Sequence, residues 1–159
     1  MANNIVIENA RIGFRNFSGK EGKFNPPGKR NFCWFIDDIE LAERLKSDGW
    51  NVKELKPRED GDKPQPYLQV AVNYDNRPPK IVLVTSSGKN VVNEEEVGML
   101  DWAEISNVDL IVTPYNWEFN GRSGIKAYVK SMYITIEEDE FEKKYADNPN
   151  DVIDEDIPF

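Results

Sequence analysis

In YLQVAVNY, residues 67–74, Leu68, Val70, Val72 and Tyr74 fall on one side of a two-residue repeat, and Tyr67, Gln69, Ala71 and Asn73 on the other. A period of two is the mark of a β-strand with one buried face, because successive side chains leave a strand in opposite directions. A helix would scatter those four apolar side chains around its circumference. The same segregation runs through residues 5–17 (IVIENARIGFRNF), with Ala10, Ile12 and Phe14 at even positions and Arg11, Arg15 and Phe17 at odd ones, and predicts one long first strand. NFCWFI (31–36) resumes extended structure, a brief strand covers residues 50–55, and KIVLVTS (80–86) has the continuous apolar character of a central strand. VDLIVTPYNWEF and GIKAYVKSMYITI add two more, joined through Asn120, Gly121, Arg122 and Ser123, where glycine supplies the positive φ of a hairpin turn.

Two short helices interrupt the strands. Residues 38–48 carry Leu41, Ala42 and Leu45 on one face, with Gly49 placed to stop the helix. Asn93 followed by Glu94, Glu95 and Glu96 reads as an N-cap with acids in the first turn, predicting a helix to about Glu104 that buries Val97, Leu100 and Trp102 or Ile105. SGKEGKFNPPGKR (18–30) predicts a mobile loop, and KPREDGDKPQP (56–66) an exposed one. Many strands with frequent turns suit a small closed or nearly closed barrel whose long first and last strands pair with several neighbours. The expected fold is mainly β: an elaborated OB-fold barrel of about five or more antiparallel strands, with two short inserted helices.

The side-chain inventory narrows the chemistry. With no His, Ser-His-Asp triads, Cys-His dyads and His-ligated zinc are excluded. Cys33 is the lone cysteine, so no internal disulfide or cysteine cluster can form, and its apolar setting makes it a core thiol. Asp37, Asp38 and Glu40, or Asp60 and Asp62, are what remains for a carboxylate-held Mg²⁺ of a nuclease. Asp37 and Asp38 fit a helix start better, and the 56–66 loop reads as solvated. The expectation is a protein without enzymatic activity, metal or cofactor. No apolar run approaches the ~20 residues of a membrane span, and the opening MANNIVIENAR lacks a signal-peptide pattern, so a cytoplasmic, membrane-free protein is expected.

Charge is unevenly spread. Of the net −9, residues 1–136 hold 18 basic against 19 acidic side chains, and residues 137–159 hold 2 against 10. Residues 1–35 alone carry a net +4. A basic N-terminal lobe with an acidic end is not the pattern of a uniformly acidic soluble surface.

An OB barrel holds a single strand on one face using cations for phosphates and rings for bases. The first loop and its strand ends offer Arg15, Phe17, Lys20, Lys23, Phe24, Lys29, Arg30, Phe32 and Trp34. The C-terminal hairpin offers Tyr115, Trp117 and Phe119 on one strand, Arg122 at the turn, and Lys126, Tyr128 and Lys130 at period two on the other. Strand rings ordinarily pack inward, which competes with stacking for Trp34, Tyr115 and Trp117. Phe17 and Phe24 sit in a Gly/Pro loop with no core to bury them and are favoured as stacking rings. Trp50 and Trp102 are assigned to the core.

The acidic terminus ends in Asp154, Glu155, Asp156, Ile157, Pro158 and Phe159. A merely solubilising tail needs no apolar cap, whereas an Ile-Pro-Phe tip with a terminal carboxylate suits a partner's apolar pocket with a basic rim. Pro158 limits the entropy lost on docking. Residues 146–159 hold too little apolar surface to fold alone, giving a domain at 1–145 and a disordered tail at 146–159.

The tip resembles that of bacterial single-stranded DNA-binding proteins, which end in Asp-Asp-Asp-Ile-Pro-Phe or close to it. The body resembles instead the single-stranded DNA-binding proteins of tailed phages, in GFRNFSGKEGKFNPPGKRNFCWFID, YLQVAVNYDNRPPKIVLVT and MLDWAEISNVDLIVTPYNWEFNGRSGIKAYVKSMYITIEEDEFEKKY, over roughly residues 5–145. The resemblance implies an OB-fold and sequence-independent binding of single-stranded DNA in the cytoplasm of an infected bacterial host. It also implies a tail that engages replication or recombination proteins, such as a polymerase, helicase, exonuclease or recombinase. RNA is the lesser alternative strand, and a homodimer is left open. The rival reading is a phage accessory module that binds protein alone through an acidic, DNA-mimicking surface.

Overall fold

The computed structural model describes residues 3–23, 25–56, 61, 63–75 and 78–137. Phe24, Asp60, Asp62, the acidic tail with its six-residue tip and the 145/146 domain boundary lie outside them.

The described residues form a single nine-stranded sheet with one helix. In chain order the elements are β1 (Ile5–Ile7), β2 (Arg11–Asn16), β3 (Arg30–Phe35), α1 (Ile39–Ser47), β4 (Val52–Leu55), β5 (Gln65–Val72), β6 (Lys80–Thr85), β7 (Gly88–Val91), a 3-10 turn (Val97–Asp101), β8 (Ile105–Phe119) and β9 (Arg122–Ile136). The main path runs β1-β8-β9-β5-β3-β2, with β4 added on β5, and with β6 lying between β9 and β7. Most ladders are antiparallel as expected, but β9 pairs in parallel with both β5 and β6. The long last strand can do this because its edge outlasts either neighbour.

The expected first strand is broken at Asn9, whose φ of 53° lies in the left-handed region. Its two halves pair different neighbours. Ile5 stands opposite Val112 of β8, while Arg11 stands opposite Phe35 of β3. One chain segment thereby ties the two ends of the sheet path together and wraps it around a core of OB type.

Two register shifts decide which side chains reach that core. In β2 the pairing slips between Gly13 and Asn16, and Phe14 adopts a left-handed φ of 47°. A bulge reverses the in-out alternation. Phe14 is therefore expelled, at 65% exposure, and Phe17 is drawn in, at 0%. In β9 the shift opposite Ile111 and Val112 moves the buried series from Ile125, Ala127 and Val129 to Met132 and Ile134.

The helix forms as its sequence indicates. The Asp38 side chain accepts from the N–H groups of Glu40 and Leu41, Ala42 and Leu45 are buried, and Gly49 leaves with a φ of 104°. The second helix is only the 3-10 turn. Three residues per turn stack Val97 and Leu100 inward and leave Trp102 off that face. Trp102 is 75% exposed, which corrects its assignment to the core; Trp50 is buried as expected. Cys33 is buried too, and burial raises its thiol pKa, partly offset by Lys53. No helix among the described residues is long and apolar enough to cross a membrane.

Candidate nucleic-acid interface

The β8–β9 hairpin turns on Asn120 and Gly121, both left-handed, at φ of 51° and 76°. Two such residues make the turn whose twist matches that of the flanking strands. Even positions of β8 (Val108, Leu110, Val112) enter the core, so odd positions face outward. Register then places Thr113 opposite Tyr128, Tyr115 opposite Lys126, Trp117 opposite Gly124 and Phe119 opposite Arg122. Beyond Val112 the strand outruns the core, and Tyr115, Trp117 and Phe119 remain exposed.

These side chains support one another. Tyr115 and Tyr128 meet edge to face at 5.9 Å between ring centroids, and Lys126 Nζ lies 5.3 Å from the Tyr128 centroid. Trp117 lies flush over Gly124, where a Cβ would come to 2.9 Å from the ring. Only glycine admits the indole that closely. By strand parity Asn116 and Glu118 take the opposite face, where Glu118 and Asp48 line a hollow bordered by Trp117. The hairpin is anchored near its turn, where the Ile125 N–H donates to the Gly49 carbonyl and Trp50 bridges to Ile125.

Beside the hairpin lies a groove of about 360 Å³. Its floor is Gln69 and Ala71 of β5 with Asn31 of β3. One bank is Asn25, Pro26 and Lys29, and the other is Trp117 and Lys126. Floor and hairpin belong to one surface, since Ala71 pairs directly with Tyr128.

The expected site residues divide. Lys29, Trp117 and Lys126 meet in the groove, and Tyr115, Tyr128 and Arg122 continue it along the hairpin. Lys130 is exposed at the β9 register shift. Phe17, Phe32 and Trp34 do not join them. Phe17 and Phe32 stack on each other at 5.2 Å within the core, and Trp34 is buried beside them. No base can reach these three rings, and the expectation that they stack DNA is corrected. Even positions of β3 face inward, and the β2 bulge brings Phe17 to meet them.

The basic residues of the first loop are likewise redistributed. Arg15 donates from one guanidinium nitrogen to the carbonyls of Leu100 and Ala103, both at 2.8 Å, and so holds the 3-10 turn. Lys20 sits 4.3 Å over the Trp102 ring. Arg30 lines the groove but pairs with Glu94 at 3.2 Å and lies over Tyr74. Burial raises the Tyr74 pKa, with Arg30 lowering and Glu94 raising it. Lys23 is exposed at the loop tip.

The loop itself is fastened rather than loose. Asp101 accepts from the N–H groups of Phe17 and Ser18 and from the Ser18 hydroxyl. The Asn25 amide donates to the carbonyls of Lys20, Pro26 and Lys29, and Asn31 donates to Asn25. Of the acids weighed for metal chemistry, Asp38 caps α1 and Asp37 pairs with Arg11 at 2.6 Å. Asn25, Asn31, Gln69 and Ala71 were not singled out from the sequence. The outward side of the YLQVAVNY alternation was the available signal for the last two.

A protein-family model described as "Putative phage ssDNA-binding domain" matches residues 1–158. Among solved structures, the chain is similar to the single-stranded DNA-binding protein from bacteriophage Enc34, at 10% identity and a TM-score of 0.55, covering 87% of this chain and 84% of that one. The structure of the Enc34 protein in complex with ssDNA gives 12% identity and a TM-score of 0.54, covering 87% and 89%. At such identities the likeness concerns the fold. No curated protein matches the chain.

Proposed function

The chain belongs to the phage ssDNA-binding domain family, and from that premise we propose that it is a sequence-independent, non-enzymatic binder of single-stranded DNA. It coats and protects exposed strands during phage replication and recombination. The observation that carries this reading is the outward face of the β8–β9 hairpin, where rings and cations interleave beside a groove with a polar floor. Phosphates track Lys29, Arg122, Lys126 and Lys130, while bases stack on Trp117, Tyr115 and Tyr128. Stacking is sequence-tolerant because every base has a π-face. The acidic tail serves the second task, recruiting replication or recombination proteins through Ile157, Pro158 and Phe159. Its excess of acid also competes with DNA for the basic face, at the high effective concentration of a tethered segment.

Titrating the full chain with oligo-dT while following tryptophan fluorescence tests this directly. Quenching is expected, and with about four phosphate contacts the slope of log K against log salt is expected near −3, from ~0.7 per contact on single strands. A chain ending at residue 145 should bind more tightly at low salt. Absence of quenching and of retardation in a low-salt gel would leave the reading without support and favour the protein-only module.

A further inference from the structure

The groove ends near Gln69, but the sheet face that floors it continues. Along β3 the outward series runs Asn31, Cys33, Phe35, and along β5 it runs Ala71, Gln69, Tyr67, with Phe35 paired to Tyr67 and Tyr67 to Lys53 of β4. From Ala71 to Tyr67 is a distance of roughly 13 Å at the usual strand rise. At that far end the exposed Phe14 ring meets Phe35 edge on at 5.9 Å, and the Arg11 guanidinium lies 5.2 Å from the Phe35 centroid.

Phe14 is costly where it stands. A bulky L-residue in the left-handed region is strained, and its ring, 65% exposed, recovers little of that cost by burial. Glycine or asparagine would satisfy the bulge more cheaply. Gly13 is shaped to the same cluster, since a Cβ there would come to 2.5 Å from the Phe35 ring. We infer that Phe14 and Phe35, flanked by Lys53 and by an Arg11 already paired with Asp37, form a second base-stacking platform, so that a bound strand runs from the hairpin across Gln69 to this pair. The inference rests on the single-strand reading above and extends it to a site with two aromatic ends and a polar middle. A strand must be long enough to span both ends before the second platform contributes.

Phe14→Gly isolates the ring's role, because it removes the stacking face while relieving the left-handed strain. Its affinity, alongside that of wild type and Phe14→Tyr, is measured on oligo-dT of roughly 4 to 16 nucleotides, the range of OB-fold site sizes. The shortest oligonucleotides, satisfied by the hairpin alone, should bind wild type and Phe14→Gly alike. The longer ones should bind Phe14→Gly about 5- to 140-fold more weakly, one stacked base's worth, with the thermal midpoint near the wild-type value and Phe14→Tyr close to normal. Equal affinity of Phe14→Gly and wild type at every length overturns the inference. So does a loss that is the same at all lengths or comes with a lowered thermal midpoint, either of which places Phe14 in the fold alone. Failure of the wild type to bind any oligo-dT brings down the single-strand reading as well.

Discussion

The β8–β9 hairpin and the 18–30 loop with its flanking strands start from the same raw material, phenylalanine, tryptophan and lysine interleaved within a few residues. They end in opposite states. On the hairpin Tyr115, Trp117 and Phe119 stay in solvent because β8 continues past the last core position. Around the loop, Phe17, Phe32 and Trp34 are buried because a bulge and an inward-facing strand deliver them to the core, and Asp101 clamps the chain where it enters the loop. Interleaved rings and cations in a sequence thus do not by themselves make an exposed face, and what leaves them exposed is how far the strand outruns its core.

The contrast is largest in stability. Phe32→Ala removes a fully buried ring stacked on Phe17 and should cost ~3–5 kcal/mol. A shift of that size in the urea midpoint, at unchanged slope, is the expected outcome. A change under about 1 kcal/mol, the scale of a surface substitution, would mean that the ring is not core and that the two regions do not differ as described.

The layout of strands was legible because alternation reports the buried face directly. Leu68, Val70 and Val72 are inward as their spacing requires, and Asp38 and Gly49 bound the helix as their chemistry requires. What could not be read was parity after a bulge. Nothing in IGFRNF announces that the register slips after Gly13, and that slip exchanges the fates of Phe14 and Phe17. Trp102 was misplaced for a related reason, since a turn with a period of three and a helix with a period of 3.6 bury different residues from the same segment. The groove floor is not legible in the sequence because Asn31 comes from β3 and Gln69 and Ala71 from β5, and they acquire meaning only side by side. The short β7, exposed throughout, carries no alternation to read.

In affinity the order of the two regions reverses. Trp117→Ala should weaken oligo-dT binding by ~1–3 kcal/mol, the value of one stacked base, and change stability by less than it changes binding. It should also abolish most of the fluorescence quenching, because Trp34 and Trp50 are buried and Trp102 lies outside the groove. Quenching that survives Trp117→Ala undiminished would assign the stacking ring to Trp102, and with it the binding face to the Lys20 side of the molecule.

The smallest effect separates two cations that the sequence made look alike. Lys126 stands exposed on the hairpin face, and its removal should take one phosphate contact from the site, flattening the log K against log salt slope by ~0.7. Arg30 lines the same groove, but its guanidinium is spent on Glu94 and on the Tyr74 ring. An exposed ammonium with no carboxylate partner among the described residues can neutralise a phosphate and release its condensed counterion, whereas a guanidinium already neutralised by a carboxylate has little left to exchange. Arg30→Ala should therefore leave the slope within error of wild type while lowering stability modestly through the loss of the Glu94 pair. If instead Arg30→Ala flattens the slope as much as Lys126→Ala does, then Arg30 leaves Glu94 when a strand binds. The basic side of the first loop would then belong to the interface after all.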